Sequence, residues 1–227
     1  IAGSRVERAP LGSFPFSACT RRDSEQSLLM SDTDDHREKM KDLQAAQREE
    51  VKKREVDRGV LVVHTGDGKG KSTAGFGVAI RAAGHGQKVG VVQFVKGTWK
   101  TGEQAALARF PEIEHVISGE GFTWDTQDRD KDLAAAKRGL DEARRMITSG
   151  DYDVVVLDEL SFALHVDQLA LDDVLDVLRA RPEHVSVIVT GRGAKPEVIA
   201  LADTVTEHVP IKHAWDAGVR ARRGVEW

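Results

Sequence analysis

The sequence predicts an α/β fold, a mostly parallel sheet with helices on both faces, preceded by a charged helical arm. Two observations carry this. Short β-branched runs at residues 60–64, 89–94, 154–157 and 185–189 are apolar at successive positions, as strands buried on both faces are. Helical stretches lie between and after them, at 72–83, 103–109, 129–149, 171–180 and 196–201. Strands alternating with helices argue for a parallel sheet with both faces covered. The length of 227 residues suits one sizeable core at roughly 150 residues per domain.

Taken in order, residues 1–29 mix Arg, Ser, Pro and Gly with scattered apolar residues and show neither period. They are expected to be a disordered leader, with Met30 a natural start and a cleaved targeting peptide the minority reading. Residues 30–57 are dense in charge, with only Met40, Leu43 and Ala46 as an apolar stripe. A solvated helix is favoured there, over an arm that orders on ligand binding. Residues 58–227 are expected to form the α/β domain. Pro196 suits the first turn of its helix.

Composition excludes several classes. Lys and Arg number 33 against 37 Asp and Glu, a net charge of −4, which argues against nucleic-acid binding through bulk charge. The single cysteine, Cys19, permits no internal disulfide framework or cysteine-cluster metal site. No apolar run approaches the ~18 residues of a membrane span. A cytoplasmic location is the default expectation.

The first strand runs into Thr65-Gly66-Asp67-Gly68-Lys69-Gly70-Lys71-Ser72-Thr73, and a helix follows. That is a phosphate-binding loop in its strand–loop–helix context, so the fold expected is P-loop NTPase-like. The glycines let backbone N–H groups converge on phosphate oxygens, and the helix N-terminus adds its dipole. Lys71 is placed for the outer phosphates and the Ser72 hydroxyl for Mg²⁺. Thr65 stands where such loops usually begin with Gly; a glycine turn with incidental lysines is the weaker reading. The run 154–157 ends in Asp158-Glu159. These read as a metal-side carboxylate pair at a strand end, or as caps for the next helix, and one residue can serve each role. Ser161 and His165 lack the context of a nucleophilic triad. The loop alone leaves kinase, GTPase and ATPase chemistry open, although no GTPase-type Asn-Lys-x-Asp motif is present.

The run Gly66–Gly77 resembles the ATP loop of the P-loop corrinoid adenosyltransferases of the CobA/CobO/BtuR type. The likeness continues through Arg81-Ala82-Ala83-Gly84-His85-Gly86 and Gln93-Phe94-Val95-Lys96-Gly97-Thr98-Trp99. It extends to Gly121-Phe122-Thr123-Trp124-Asp125-Thr126, Val156-Leu157-Asp158-Glu159-Leu160 and Thr190-Gly191-Arg192-Gly193-Ala194. Lys212-His213-Ala214-Trp215-Asp216-Ala217-Gly218 and Gly224-Val225-Glu226-Trp227 complete it. Ser72 replaces a common Thr and Ala194 a common Cys.

The resemblance implies transfer of the 5′-deoxyadenosyl group of ATP to the Co(I) centre of a reduced corrinoid, with triphosphate released, in cobalamin synthesis or salvage. It implies that Gly66, Asp67, Gly68, Lys69, Gly70, Lys71, Ser72 and Thr73 hold the triphosphate, with Arg81 and Gln93 lining the nucleoside pocket. It places Lys71 on the departing triphosphate, and Phe122 and Trp124 under the corrin, where an apolar wall denies cobalt its lower ligand; read without it, these two aromatics are equally well core residues. Ser72, Asp158 and Glu159 would hold Mg²⁺, or Mn²⁺ in its place, with Glu159 first. Trp99 is left between a substrate and a partner subunit, and Arg192 between phosphate and a structural ion pair. A flavin or flavoprotein reductant and a homodimer are further implications. A P-loop ATPase or kinase, and a non-catalytic ATP- or corrinoid-binding carrier, remain the alternatives.

Overall fold

The computed structural model describes residues 25–95, 101–119 and 128–226, with side chains from residue 35. The expectations for Trp99, Phe122, Trp124 and most of the leader fall outside the described residues. The chain divides into two units, Ile1–Val56 and Asp57–Trp227.

Among its described residues the first unit holds the helix α1 (Glu25–Lys52), which begins within the expected leader. Its described side chains are exposed throughout, including Met40 and Leu43. Ion pairs at helical spacing join Lys39 to Asp35, Lys52 to Glu49, and Lys53 and Arg54 to Glu50. Each such pair is worth only about 0.3–0.5 kcal/mol.

The second unit is the α/β domain. Its strands are β1 (Leu61–Thr65), β2 (Val89–Gln93), β3 (Ile113–Ile117), β4 (Val154–Asp158), β5 (Ser186–Thr190) and β6 (Thr204–Glu207). They pair in the order β3-β2-β4-β5-β1-β6, all parallel. The helices are α2 (Lys71–Gly84), α3 (Gly102–Leu107), α4 (Arg129–Thr148), α5 (Leu160–His165), α6 (Leu171–Arg179) and α7 (Pro196–Leu201). A short 3₁₀ turn, Ala214–Ala217, lies in the C-terminal segment. Local chemistry sets several boundaries. Asp128 caps α4 by accepting from Lys131 N–H, and Thr101 caps α3. Pro196 occupies the first turn of α7.

Alternate residues of the central strands feed opposite faces, as the strand period of two requires. Val154, Val156 and Ile188 join Phe76 and Ala79 of α2 and Leu107 of α3 in one buried layer. Val155, Leu157, Val187 and Val189 join Leu140 and Met146 of α4, Leu160 and Leu164 of α5 and Leu178 of α6 in the other. Both faces are therefore buried, which explains the unbroken apolar runs. β6 is different: all four residues are exposed, and its backbone ladder pairs it to β1.

Candidate functional site

Parallel α/β sheets bind ligands beyond the carboxyl ends of their strands. Here the register lines up a row of polar residues at that end. Gln93 of β2 pairs with Asp158 of β4, and His64 of β1 pairs with Thr190 of β5. The phosphate loop leaves β1 beside this row.

The loop turns into α2 at Gly70, whose φ of 108° is a conformation that L side chains rarely adopt. Lys71 follows at the first helical position and is buried, with its Nζ donating to the loop's own Gly68 carbonyl at 2.6 Å. Burial is the largest influence on its ammonium and lowers its pKa. The nearby Glu159 and Asp67 oppose that shift, while Arg192 and Lys69 add to it. Three cations, Lys69, Lys71 and Arg192, thus gather near one loop. Lys69 pairs with Glu226 of the C-terminal segment, and Arg192 lies 3.9 Å from Asp67. Thr65, in place of the usual glycine, is buried and accepts from Ala194 N–H through its hydroxyl at 3.2 Å. Ser72 and Thr73 occupy the first turn of α2, half-buried and exposed respectively.

Asp158 is almost fully buried. Its Oδ2 accepts from Gln93 Nε2 at 2.9 Å and its Oδ1 from Thr190 Oγ1 at 2.8 Å. The same Thr190 oxygen accepts from Glu159 N–H at 3.0 Å. Glu159 is half-buried and takes a left-handed backbone, φ 63°, at the entry to α5. A non-glycine residue held there costs of order 1–3 kcal/mol and is worth noting at a ligand site. The Asp-Glu pair therefore differs in setting: Asp158 sits in a buried polar net, and Glu159 lies near enough for its charge to act on Lys71.

The remaining expected residues lie elsewhere. Gln93 is fully buried and its amide is engaged by Asp158 and His115, so it sits behind the carboxylate and not on an open nucleoside surface. Arg81 is exposed in the last turn of α2, ten residues beyond Lys71, or about 15 Å along the helix; the structure does not bring it to the loop. Ser161 is buried and His165 exposed on α5. Sequence reasoning did not single out Thr190 as a site residue, although it ends an apolar run as Asp158 does. It missed His64 and His208 altogether.

Among the described residues, no group of three or more His, Cys, Asp or Glu side chains is arranged to hold a metal. A hydroxyl and a carboxylate are nevertheless hard oxygen donors. Ser72 and Glu159 are donors of the kind Mg²⁺ takes, an ion that commonly keeps waters and phosphate oxygens for the rest of its shell. Among the described residues, no helix is long and apolar enough to cross a membrane.

A parallel sheet, a glycine-turned loop and a buried lysine at a helix start define a P-loop nucleotide-binding α/β protein. Residues 57–227 match the family model described as ATP:corrinoid adenosyltransferase BtuR/CobO/CobP. The corrinoid adenosyltransferase of Pseudomonas aeruginosa is 50% identical over 193 residues, covering 85% of this chain and 95% of that one. That of Escherichia coli is 46% identical, covering 83% and 100%, and CobA of Salmonella typhimurium is 48% identical, covering 75% and 87%. The chain belongs to the ATP:corrinoid adenosyltransferase family.

Proposed function

We propose that this enzyme transfers the 5′-deoxyadenosyl group of ATP to the Co(I) centre of a reduced corrinoid and releases triphosphate, in cobalamin synthesis or salvage. The observation that carries the reading is the buried Lys71 on its glycine-turned loop, in a chain of this family. Cobalt supplies the electron pair that forms the Co–C5′ bond. The C5′–O bond breaks, and its electron pair leaves on the triphosphate.

The enzyme's task is then to stabilise negative charge on a leaving group and to keep water from the nucleophile. Lys71, Lys69, Arg192 and backbone N–H groups of the loop other than that of Gly68, which is donated to His208 O, act on that charge, and a partly buried setting strengthens them. Ser72 and Glu159 would hold Mg²⁺, which supplies further charge neutralisation at the triphosphate. Asp158, braced by Gln93 and Thr190, fixes the strand end from which Glu159 projects. Phe122 and Trp124 would face the corrin and deny cobalt a lower ligand. A flavin or flavoprotein serves as reductant and the cytoplasm as location.

A homodimer belongs to the same reading. It is supported by the exposed apolar side chains Val209, Ile211, Trp215, Val219 and Val225 in the C-terminal segment, a concentration that isolated chains rarely leave in water.

Anaerobic incubation with ATP, Mg²⁺ and chemically reduced cobalamin tests the reaction. Loss of the Co(I) absorbance with triphosphate as the phosphate product is expected. ADP and phosphate as the main products would overturn it.

A further inference from the structure

The loop is held from β6's side by one residue that the reaction does not otherwise use. His208, just past β6, donates its backbone N–H to Thr65 O at 2.8 Å and accepts Gly68 N–H at 2.6 Å. The approach is so close that a Cβ on Gly68 would lie 2.7 Å from the His208 carbonyl oxygen. The imidazole continues the contact. Its Nδ1 lies 3.2 Å from Lys69 O, and its Nε2 lies 3.2 Å from Nδ1 of His64 on β1. The two rings meet edge to face, 5.3 Å apart.

These contacts define the protons. A carbonyl can only accept, so His208 Nδ1 carries the hydrogen. In a neutral pair Nε2 then accepts from His64 Nδ1–H. Burial, with His208 second, lowers the pKa of His64, which favours the neutral ring. His64 thus selects the tautomer in which His208 can donate to the loop.

The consequence for the loop follows from the trans peptide, in which C=O and N–H point to opposite sides. Drawing Lys69 O onto His208 turns Gly70 N–H away from β6. We propose that His208 is a positioning residue for the phosphate loop, its Nδ1–H holding the Lys69–Gly70 peptide so that Gly70 N–H is presented to the triphosphate. This rests on the reading that the loop takes ATP.

The test compares the wild type with His208→Ala, His208→Asn and His208→Gln. ATP binding is measured by calorimetry with Mg²⁺, and KM for ATP and for reduced cobalamin are measured separately. All three variants keep the two backbone bonds of residue 208, and thermal melting checks the fold. His208→Ala should weaken ATP binding and raise its KM about tenfold, the equivalent of about 1.4 kcal/mol, with the cobalamin KM unchanged. His208→Asn, whose amide nitrogen stands where Nδ1 stood, should recover most of the loss. His208→Gln, which reaches toward the Nε2 position, should not. Unchanged ATP binding in His208→Ala overturns the proposal, as does His208→Asn binding no better than His208→Ala. A parallel rise in both KM values that tracks melting also overturns it, since that marks a purely structural residue. A wild type that fails to bind ATP refutes the functional reading and this inference with it. A wild type that binds ATP as His208→Ala does refutes this inference alone.

Discussion

Thr190 Oγ1 gives its hydrogen to Asp158 and takes one from Glu159 N–H, so one hydroxyl fixes both members of the acidic pair. Thr190→Val keeps the shape and removes both bonds. It should destabilise the domain by about 1–3 kcal/mol, the cost of leaving buried polar groups unmade, and Thr190→Ser should restore most of that in urea unfolding. The residue was invisible as a site because Thr is an ordinary strand former. Only the pairing of β4 with β5, Leu157 beside Val189, brings it to Asp158 and so gives it a role. The positions of Lys71, at the start of α2, and of Glu159, just past β4, were legible because the strand–loop–helix spacing fixes them. Asp203 belongs to another part of the domain. The Arg58 guanidinium first, then Leu61 N–H, hold its carboxyl down at about 2. A depressed carboxylate stabilises above its unfolded pKa of about 3.9 and loses that contribution as pH falls through the folded value. Asp203→Asn should therefore lower stability at neutral pH by about 1–2 kcal/mol. It should also flatten the pH dependence between about pH 4 and pH 2 in acid-unfolding curves.

At the level of elements, the four central strands were readable because burial on both faces leaves a continuous apolar run. β6 was not. Thr204–Glu207 is exposed at every position, so its place is set by backbone bonds to β1 and by the Arg58–Asp203 pair just before it, neither of which writes a pattern into the sequence. α5 escaped for want of a start signal: its N-cap, Glu159, makes no side-chain cap bond, whereas the equally short α3 and α7 open on a capping Thr101 and on Pro196. The junction of β1, loop and α2 carries the sharpest expectation. Gly70→Ala forces a Cβ into φ 108°, a strain of about 1–2 kcal/mol. That strain should shift the loop, weakening ATP binding about five- to thirtyfold while the far-ultraviolet circular dichroism stays that of the wild type. Full ATP affinity in this variant would show that the loop geometry is not what holds the nucleotide.

For the molecule as a whole, the exposed apolar segment and the Lys69–Glu226 pair make separate predictions. Sedimentation velocity at micromolar concentration should show a dimer, and Ile211→Asp, at a side chain 95% exposed, should shift it toward monomer without unfolding the domain. Lys69 is paired with Glu226; on the proposed reading that pair gives way to phosphate, so Glu226→Gln should tighten ATP binding severalfold in calorimetry at low salt, with the gain shrinking as salt screens it. A weaker affinity would mean that the tail braces the loop.

The loop that begins at Thr65 is completed by residue 208, so the order of synthesis matters. Domains made on the ribosome emerge from their N-terminus at about 5–20 residues per second. The phosphate loop is thus among the first parts of this domain to appear and among the last to be finished. A nascent chain stalled before residue 208 should carry the loop sequence and still fail to retain ATP. ATP would then stabilise only chains that have been translated past residue 208.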